Sequence, residues 1–562
     1  MSQPVSDKPV VRHIVELCHA HGIRHVILSP GSRNAPFILS FPASGKFTCL
    51  SIVDERSAAY FALGLARSKN APVAVVCTSG TAALNYAPAM AEAYYQQIPL
   101  VAITADRPPE YIDQADGQTI RQDKMFINHA RYSCQMPVDV NDDGDLQWVD
   151  RMLNDAFRQA LGVVRGPVHI NVPMREPLYG RCEQETPSDV KFVSVTHSMN
   201  MDEELVPDLT NEISDYGKIL FVVGSGHPGE DLDKLVSEMA GKGIVVLSEN
   251  LSNLNTSAAI GNTDRVLEGF STEDEMFAPD LLITLDVPVL SKKLKQRLRK
   301  HKPGAHWHFS NQEIIVDTYG CLTRQIPGNG VEILTRLMQN VSFFPPDYVQ
   351  LWQKIRHQTS ALHCDFLKNQ GWCDLKVFRH LSVHVPSEQE VHLANSTPVR
   401  YAQLFDWSPG LRFYANRGTS GIDGCVSSAA GAAFAGKRPV TLIAGDLAFL
   451  YDSNGLWHQY LPSSFRVIVI NNGGGGIFRF IPGPSDTAEL EPFFEARGGQ
   501  RCSGIAETFG LQYFAAGNED ELDQILQHFW DKKGAPALLE IFTPTEENGE
   551  ILKAYFRFLS GG

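Results

Sequence analysis

Oxygen-bearing side chains follow two apolar runs in the last third of the chain. The pair Gly445-Asp446 lies at the end of a predicted strand at residues 440–445, and Asn471-Asn472 ends a predicted strand at residues 466–472 and precedes four glycines. A carboxylate, an amide oxygen and a free carbonyl are hard ligands of Mg²⁺, which keeps positions open for phosphate oxygens. Glycines let a diphosphate approach the backbone, and amides at a helix start favour its negative charge. The pattern predicts a magnesium–diphosphate site, although each half alone is equally typical of an ordinary turn or loop.

Alternating strands and helices must position these residues. Apolar runs at residues 24–28, 72–77 and 100–104 end at SPGSR, TSGT and ADRPPE, with helical patterns between them. Such β-α-β alternation predicts a parallel sheet covered by helices, with ligands outside the carboxyl ends of its strands. The same rhythm returns twice, with polar or proline-rich breaks at residues 182–191 and 342–348. We therefore predict three doubly wound α/β domains, at residues 1–183, 192–342 and 350–562.

Composition limits the class of protein. A chain of 562 residues with 43% hydrophobic and 20% charged residues is typical of a soluble multidomain protein. The net charge of −15 argues against nucleic acid as a partner. Ten cysteines without a C-x-x-C pair indicate reduced thiols. No signal peptide and no run long enough to span a membrane is found, so we expect a cytoplasmic protein.

A second glycine motif suggests a different class of function. Gly224, Gly226 and Gly229 follow an apolar run, and Glu249 lies 20 residues beyond them, as in dinucleotide-binding folds. Pro228 interrupts the loop where helix-starting amides should face a phosphate. We favour a structural turn here, and a nicotinamide or flavin oxidoreductase remains the alternative from another class.

Positive charge recurs beside the predicted glycine turns. The residues are Arg33, Arg107, Lys292, Lys293, Arg400 and Arg417. Arginine suits bidentate capture of carboxylates, although a single such arginine is usually a surface residue. Several at strand ends indicate substrates that carry several carboxylates.

The Gly-Asp and Asn-Asn pair, separated by 25 residues, resembles the signature of thiamin-diphosphate enzymes. The resemblance implies that Asn472 and the Gly474 carbonyl complete, beside Asp446, the shell of a Mg²⁺ ion, for which Mn²⁺ can substitute. It also implies that Glu55 hydrogen-bonds the aminopyrimidine ring and promotes proton loss from the thiazolium. A carboxylate that only stabilises a helix start is the alternative for Glu55. The three domains would be pyrimidine-binding, central Rossmann-like and diphosphate-binding, in at least a dimer.

Further motifs narrow the resemblance. They are SPGSR (29–33), DER (54–56), TSGTA (79–83), ADRPPE (105–110), QTIRQ (118–122), NSTPVR (395–400), NRGTSGIDG (416–424), GDLAFLYD (445–452) and NNGGGGIF (471–478). In this order they are similar to the 2-succinyl-5-enolpyruvyl-6-hydroxy-3-cyclohexene-1-carboxylate synthases, the MenD family. The resemblance implies decarboxylation of 2-oxoglutarate and 1,4-addition of the resulting succinyl-semialdehyde carbanion to isochorismate, in menaquinone biosynthesis. Another thiamin enzyme, such as a decarboxylase or an acetolactate synthase-like carboligase, is the nearer alternative.

The same resemblance implies the site residues. Glu55 would be catalytic, and the metal ligands would be Asp446, Asn472 and Gly474. Substrate-binding residues would be Ser32, Arg33, Arg107, Gln118, Lys292, Lys293, Ser396, Arg400, Arg417, Ile477 and Phe478. Cofactor-binding residues would be Glu55, Ser79, Gly80, Ser396, Ile422, Gly445, Asp446, Leu447, Ala448, Asn472, Gly474, Ile477 and Phe478. Lys293 stands where arginine is expected, so its role is the least defined, and a homodimer or a dimer of dimers is expected.

Overall fold

The structure is a computed structural model. It describes residues 4–183, 190–194, 204–226, 229–271, 275–480, 483–531 and 534–561. Pro228 and residues 184–189 of the predicted linker lie outside the described residues. The chain forms two compact units. The first comprises residues 1–197, 416–437 and 448–465, and the second comprises residues 198–415, 438–447 and 466–562.

The strands of the described residues occur along the whole chain. They are β1 (Val5–Ser6), β2 (His25–Leu28), β3 (Thr48–Ser51), β4 (Val73–Cys77), β5 (Leu100–Asp106), β6 (Tyr132–Gln135), β7 (Val168–Pro173), β8 (Arg181–Cys182), β9 (Ile219–Val223), β10 (Val245–Ser248), β11 (Leu281–Leu285), β12 (Ala305–Phe309), β13 (Arg324–Ile326), β14 (Glu390–Leu393), β15 (Arg412–Tyr414), β16 (Val440–Gly445), β17 (Arg466–Asn471), β18 (Gln512–Ala516) and β19 (Ala537–Phe542).

The α-helices alternate with these strands. They are α1 (Pro9–Ala20), α2 (Ala35–Ala43), α3 (Glu55–Lys69), α4 (Thr81–Leu84), α5 (Ala87–Gln96), α6 (Asp143–Leu161), α7 (Leu205–Ile213), α8 (Glu230–Gly241), α9 (Thr263–Leu267), α10 (Lys292–Lys300), α11 (Gly330–Asn340), α12 (Asp347–Lys368), α13 (Asp374–His384), α14 (Thr397–Ala402), α15 (Cys425–Ala435), α16 (Asp446–Tyr451), α17 (Ser503–Thr508), α18 (Glu519–Phe529) and α19 (Glu547–Leu559). Within the described residues, no helix is both long and apolar enough to cross a membrane.

The first unit is built on a parallel sheet of order β3-β2-β4-β5-β7-β6. Its central strands β4 and β5 are buried along their whole length, as expected for apolar runs covered on both faces. Helix α15 packs on α3 through small residues. A Cβ atom at Gly64 would overlap the Ser428 carbonyl, and one at Gly431 would overlap the Phe61 carbonyl. These glycines therefore permit the two helices to touch backbone to backbone.

The second unit contains two parallel sheets. One has the order β10-β9-β11-β12-β13, and the other has the order β15-β14-β16-β17-β19-β18. Strands β16 and β17, predicted at residues 440–445 and 466–472, are adjacent and pair Gly445 with Ile470. The predicted α/β class with three parallel sheets is confirmed. The domain boundaries stay a prediction. The compact units place residues 416–437 and 448–465 with the first sheet.

The glycine motif after β9 and the acidic residue that follows it have a structural role. The Glu249 carboxylate accepts hydrogen bonds from the backbone N–H groups of Leu290 and Ser291, both at 2.7 Å. A Cβ atom at Gly224 would lie 2.6 Å from the Pro288 carbonyl oxygen. The glycine and the glutamate thus fasten the 287–291 loop, as the structural-turn interpretation expects.

Candidate active site

Glu55 is the first residue of α3 in the first unit. The preceding residue, Asp54, caps the helix by accepting hydrogen bonds from the N–H groups of Arg56 and Ser57. Burial raises the pKa of Glu55, and Asp54 adds to the rise, while the side chain of Asn85 opposes it. A carboxyl group whose pKa is raised by burial is a candidate for proton transfer. The catalytic role of Glu55 stays a prediction.

The loop after β4 contains the predicted cofactor residues Ser79 and Gly80. Gly80 has a φ of +82°, which favours glycine, and its N–H donates to Gln122 Oε1 at 2.8 Å. Gln122 is fully buried and also donates to the Ala105 carbonyl at 3.1 Å. Among the described residues, the buried Oγ of Ser79 has no hydrogen-bond partner. This orphaned hydroxyl fits a polar ligand, because buried polar atoms are nearly always satisfied.

Arg33 and Arg107 follow β2 and β5 at one edge of the sheet. Arg33 is only 5% exposed, donates to the Met174 carbonyl at 3.1 Å and pairs with Glu176 at 3.0 Å. Burial lowers the pKa of Arg33, and the positive charge of Arg107 lowers it further. The positive charges of Arg33 and Arg107 repel each other, and a bound anion would reduce this repulsion. Ser32 and Gln118, which were also predicted to bind substrate, are exposed.

The segment that carries Arg417 and Ile422 is held by a residue that sequence reasoning missed. Glu92 is fully buried on α5, and its carboxylate accepts from the N–H groups of Gly418 and Thr419, both at 2.7 Å. Arg417 and Ile422 themselves are half-buried. The buried glutamate therefore shapes the turn that presents both predicted site residues.

The predicted oxygen ligands of the second unit lie at the ends of β16 and β17. Asp446 is 5% exposed and Asn472 is 6% exposed. Asn472 donates through Nδ2 to Asp374 Oδ2 at 3.2 Å, which leaves its amide oxygen available. Asp374, the first residue of α13, is a third buried oxygen-bearing group that sequence reasoning missed. Its sequence context, an ordinary helix start, offered no signal.

The electrostatics of this cluster fit a cation. Burial and the charge of Asp374 raise the pKa of Asp446, the N–H groups of Leu447 and Gly474 oppose the rise, and the resulting pKa is about 6. Burial likewise raises the pKa of Asp374 to about 6. Two buried carboxyl groups that disfavour each other's ionisation would both be stabilised as anions by a divalent ion. The donor set consists of hard oxygens, as Mg²⁺ or Mn²⁺ requires.

The glycine run after β17 is packed against the chain's own backbone. A Cβ atom at Gly474, where φ is +148°, would lie 2.6 Å from the Glu495 carbonyl oxygen. The same oxygen accepts from the Gly475 N–H at 2.7 Å. Ile477 beyond the glycines is 8% exposed, and Phe478 packs on Phe494 with ring centroids 5.6 Å apart. Close packing of residue 495 thus requires glycine here, and room for a diphosphate stays a prediction.

A basic cavity of about 660 Å³ opens elsewhere in the second unit. Its charged lining residues are Asp264, Lys292, Lys293, Arg400, Glu550, Lys553 and Arg557. Arg400 is placed by its Nε–H, which donates to the Ser396 carbonyl at 3.2 Å. Ser396 has a φ of +79°, which is unusual for a residue other than glycine. Burial lowers the pKa of Arg400, because a buried cation is poorly solvated.

The two adjacent lysines of this cavity differ. Lys292 is exposed at the start of α10. Lys293 forms a very short ion pair with Glu268, and its Nζ lies 3.1 Å from the centroid of the Phe556 ring. Lys293 is therefore committed to contacts within the protein, whereas Lys292 presents its charge to solvent and the cavity.

Comparisons with known proteins agree with these features. Residues 9–126 match the model of the thiamine pyrophosphate enzyme N-terminal TPP binding domain, and residues 396–541 match its C-terminal counterpart. A 2-succinyl-5-enolpyruvyl-6-hydroxy-3-cyclohexene-1-carboxylate synthase of Porphyromonas gingivalis is 40% identical over 100% of this chain and 99% of its own. Synthases of the same name from Christiangramia forsetii and Desulfotalea psychrophila are 39% and 37% identical, over 98% and 96% of this chain and 99% of theirs.

This chain belongs to the 2-succinyl-5-enolpyruvyl-6-hydroxy-3-cyclohexene-1-carboxylate synthase family. In this synthase the first unit carries one group of the predicted residues: Ser32, Arg33, Glu55, Ser79, Gly80, Arg107, Gln118, Arg417, Ile422 and Ala448. The second unit carries the other group: Lys292, Lys293, Ser396, Arg400, Gly445, Asp446, Leu447, Asn472, Gly474, Ile477 and Phe478.

Five polar residues join the predicted sites of the synthase although sequence reasoning did not select them. They are Glu92, Gln122, Asp374, Lys553 and Arg557. Gln122 lies inside the QTIRQ motif, so the motif itself was a signal for it. The other four lie on helices, where a charged residue is ordinarily a solvated surface group.

Proposed function

We propose that this chain catalyses the thiamin-diphosphate-dependent decarboxylation of 2-oxoglutarate and the addition of the resulting four-carbon unit to isochorismate. The products are CO₂ and 2-succinyl-5-enolpyruvyl-6-hydroxy-3-cyclohexene-1-carboxylate, on the route to menaquinone. The observation that carries the proposal is that one unit combines a buried set of oxygen ligands with a cavity lined by Lys292, Arg400, Lys553 and Arg557. Both substrates bear more than one carboxylate, which such cations bind.

Asp446, Asn472 and the Gly474 carbonyl would hold Mg²⁺, or Mn²⁺ in its place, against the diphosphate. When bound, thiamin diphosphate supplies the nucleophilic carbon that a protein side chain cannot provide. Asp374 contributes by holding Asn472 through the 3.2 Å hydrogen bond, so that the amide oxygen faces away from it. The Ser79 hydroxyl and the Gly80 turn would meet the pyrimidine side of the cofactor.

Glu55 would move a proton at the aminopyrimidine. Burial raises the pKa of Glu55, so the side chain would accept a proton more readily than an ordinary glutamate. Replacement by an amide would keep a hydrogen bond while removing this exchange. The function of Glu55 is therefore separable from cofactor binding.

The basic residues would hold substrate carboxylates. Arg400, whose pKa is lowered by burial, would be stabilised in its charged form by an anion, and the exposed Lys292 adds a second charge to the lining of the cavity. Arg33 and Arg107 provide a second cationic pair. We also propose a homodimer or a dimer of dimers in the cytoplasm, supported by the family resemblance.

The test supplies the protein with thiamin diphosphate, Mg²⁺, 2-oxoglutarate and isochorismate, and then omits each component in turn. We expect isochorismate absorbance to fall only when all four are present, with a succinyl-bearing cyclohexene identified by mass. Slow decarboxylation with isochorismate untouched would indicate a different acceptor and contradict the proposal. Light scattering of the same sample measures the oligomer, and a monomer would contradict that part.

A further inference from the structure

Two pairs of metal-binding side chains face each other away from the predicted active site. His380 and His384 lie four residues apart on α13, so they share one face of the helix. Glu519 and Asp523 lie four residues apart on α18, which packs on α13. One ring nitrogen of each histidine and a carboxylate oxygen of Asp523 lie within 4.8 Å of one another. Two histidines and a carboxylate form a typical ligand set of Zn²⁺ and its neighbours.

Hydrogen bonds prepare the histidines for this role. His384 Nδ1 lies 2.9 Å from the His380 carbonyl oxygen and donates to it, which leaves the lone pair of Nε2 available. The Nδ1 atom of His380 lies 2.6 Å from Asp523 Oδ1, and its Nε2 lies 2.8 Å from Glu519 Oε1. A histidine ligand commonly donates its second N–H to a carboxylate, which fixes the ring and raises its basicity. Glu519 supplies that carboxylate.

We propose that His380, His384 and Asp523 bind one divalent transition-metal ion of the Zn²⁺, Co²⁺ and Ni²⁺ class. Donor atoms around a tetrahedral Zn²⁺ ion are about 3.3 Å apart, given bonds of about 2.0 Å. The donor atoms lie within 4.8 Å of one another, so binding of the ion would draw them closer together. The ion joins α13 to α18 with two ligands from one helix and one from the other, and water takes the fourth position.

The competing arrangement is a protonated His380 held between two carboxylates without metal. Side-chain exposure is 12% for His380 and 43% for Asp523, so both protons and metal ions reach the group. Only the metal-binding arrangement requires His384, because the two ring nitrogens of His380 are hydrogen-bonded to Asp523 and Glu519 and not to His384. His384 is therefore the residue whose replacement separates the two.

The experiment titrates Co²⁺ into the full chain saturated with thiamin diphosphate and Mg²⁺, after treatment with a chelator. All proteins carry Cys364→Ser, because Cys364 is an exposed thiol that could bind the ion itself. Calorimetry counts the bound ions, and the visible spectrum of Co²⁺ reports nitrogen and oxygen ligands. The His384→Gln variant isolates this site, and His357→Gln, an exposed histidine on α12, is the matched control.

We expect His384→Gln to lose one bound Co²⁺ ion per chain and His357→Gln to lose none. Zn²⁺ should raise the melting temperature of the chain and of the control, but not of His384→Gln. Glu519→Gln should keep the site with affinity about tenfold weaker, as for other carboxylates behind a histidine ligand. Equal stoichiometry in the chain and in His384→Gln, or no binding in either, would overturn the proposal.

Discussion

The two six-stranded sheets share one topology and carry different chemistry. Numbered within each sheet along the chain, both have the strand order 2-1-3-4-6-5, and all neighbours are parallel. The third strand is β4 in one sheet and β16 in the other, and they end before Ser79 and at Asp446 respectively. The fourth strand ends before Arg107 in one and before Asn472 in the other. At these strand ends, the first sheet therefore has the Ser79 hydroxyl and the Arg107 cation. The second sheet has the side-chain oxygens of Asp446 and Asn472, the predicted metal ligands.

Each sheet has an acidic residue at its predicted site, and the surroundings of the two residues differ. In both sheets, burial raises the pKa of an acid, Glu55 in the first and Asp446 in the second. Glu55 lies at a helix start with few compensating contacts, which suits an acid that must exchange protons. Asp446 lies beside Asp374 and Asn472, which suits an acid that must be ionised by a metal ion. Under the proposed function, the same physical effect would support proton transfer at Glu55 and metal binding at Asp446.

The largest expected effect comes from Glu55→Gln. Turnover should fall at least a hundredfold, the lower end of what general acid–base catalysis contributes. Binding of thiamin diphosphate should change only a few-fold, because the amide retains a hydrogen-bonding group. Steady-state kinetics with saturating cofactor and calorimetric titration of the cofactor measure the two quantities.

A control separates proton transfer from simple stabilisation of a helix start. Glu332 is also in the first turn of a helix, α11, where it pairs with Arg336. Glu332→Gln should lose the same helix-dipole interaction, about 0.3–1 kcal/mol, and keep its turnover. If both variants retain near-normal turnover, Glu55 is only a helix-start carboxylate, and the contrast between the sheets loses its catalytic half.

The sequence predicted the strand ends well because parallel strands are long buried apolar runs. The predicted strand at 466–472 is β17 to within one residue, and Asp446 and Asn472 do lie at adjacent strand ends. Glu92 and Asp374 could not be predicted, because each lies on a helix, where charged residues are ordinarily solvated. Only the tertiary structure places Glu92 under the 416–424 turn and Asp374 against Asn472. Long-range polar contacts of this kind leave no periodic pattern.

The glycine run shows a different limit of sequence reasoning. Four consecutive glycines indicate close approach, but they do not say of what. At Gly474 the neighbour is the backbone of Glu495, whose carboxylate in turn binds Arg479 and Arg497. The partner lies 21 positions away in a segment without a strong pattern of its own. The sequence indicated that another group approaches the backbone closely here, and the structure shows that this group is the backbone of Glu495.

The second prediction concerns Asp446→Asn. Removal of the anionic ligand should weaken Mg²⁺ and thiamin diphosphate binding together, by at least tenfold, because a neutral amide is a poorer ligand for a hard cation. Calorimetric titration of the cofactor in the presence and absence of Mg²⁺ measures the change. Unchanged affinity would mean that Asp446 is not a metal ligand. The proposed difference between the two sheets would then be wrong.

The same variant predicts a pH dependence in the absence of cofactor. The pKa of Asp446 is about 6 in the folded chain and near 3.9 when unfolded, so the folded state holds the extra proton between these values. The free energy of unfolding therefore falls as pH rises from about 4 to 6, by at most about 3 kcal/mol. Asp446→Asn should melt at a higher temperature than the unsubstituted chain at pH 7.5, and the difference should shrink toward pH 4. A difference independent of pH would contradict the raised pKa.

The smallest expected effect divides the two lysines of the basic cavity. Lys292→Met should raise KM for a carboxylate substrate severalfold, about 1 kcal/mol for one exposed charge, with little change in melting temperature. Lys293→Met should do the reverse, because it breaks the contacts with Glu268 and Phe556. Both changes remove one positive charge of similar size, so each variant is the control for the other.

This division bears on the comparison of the sheets, because the cavity belongs to the unit with the oxygen ligands. If Lys292 alone affects KM, that unit has a cationic substrate region distinct from its metal site, as we propose for Arg33 and Arg107 in the first unit. Equal effects on KM would mean that Lys293 leaves Glu268 to meet the substrate. Its departure from arginine would then matter, since an ammonium cannot bind a carboxylate through two parallel N–H groups.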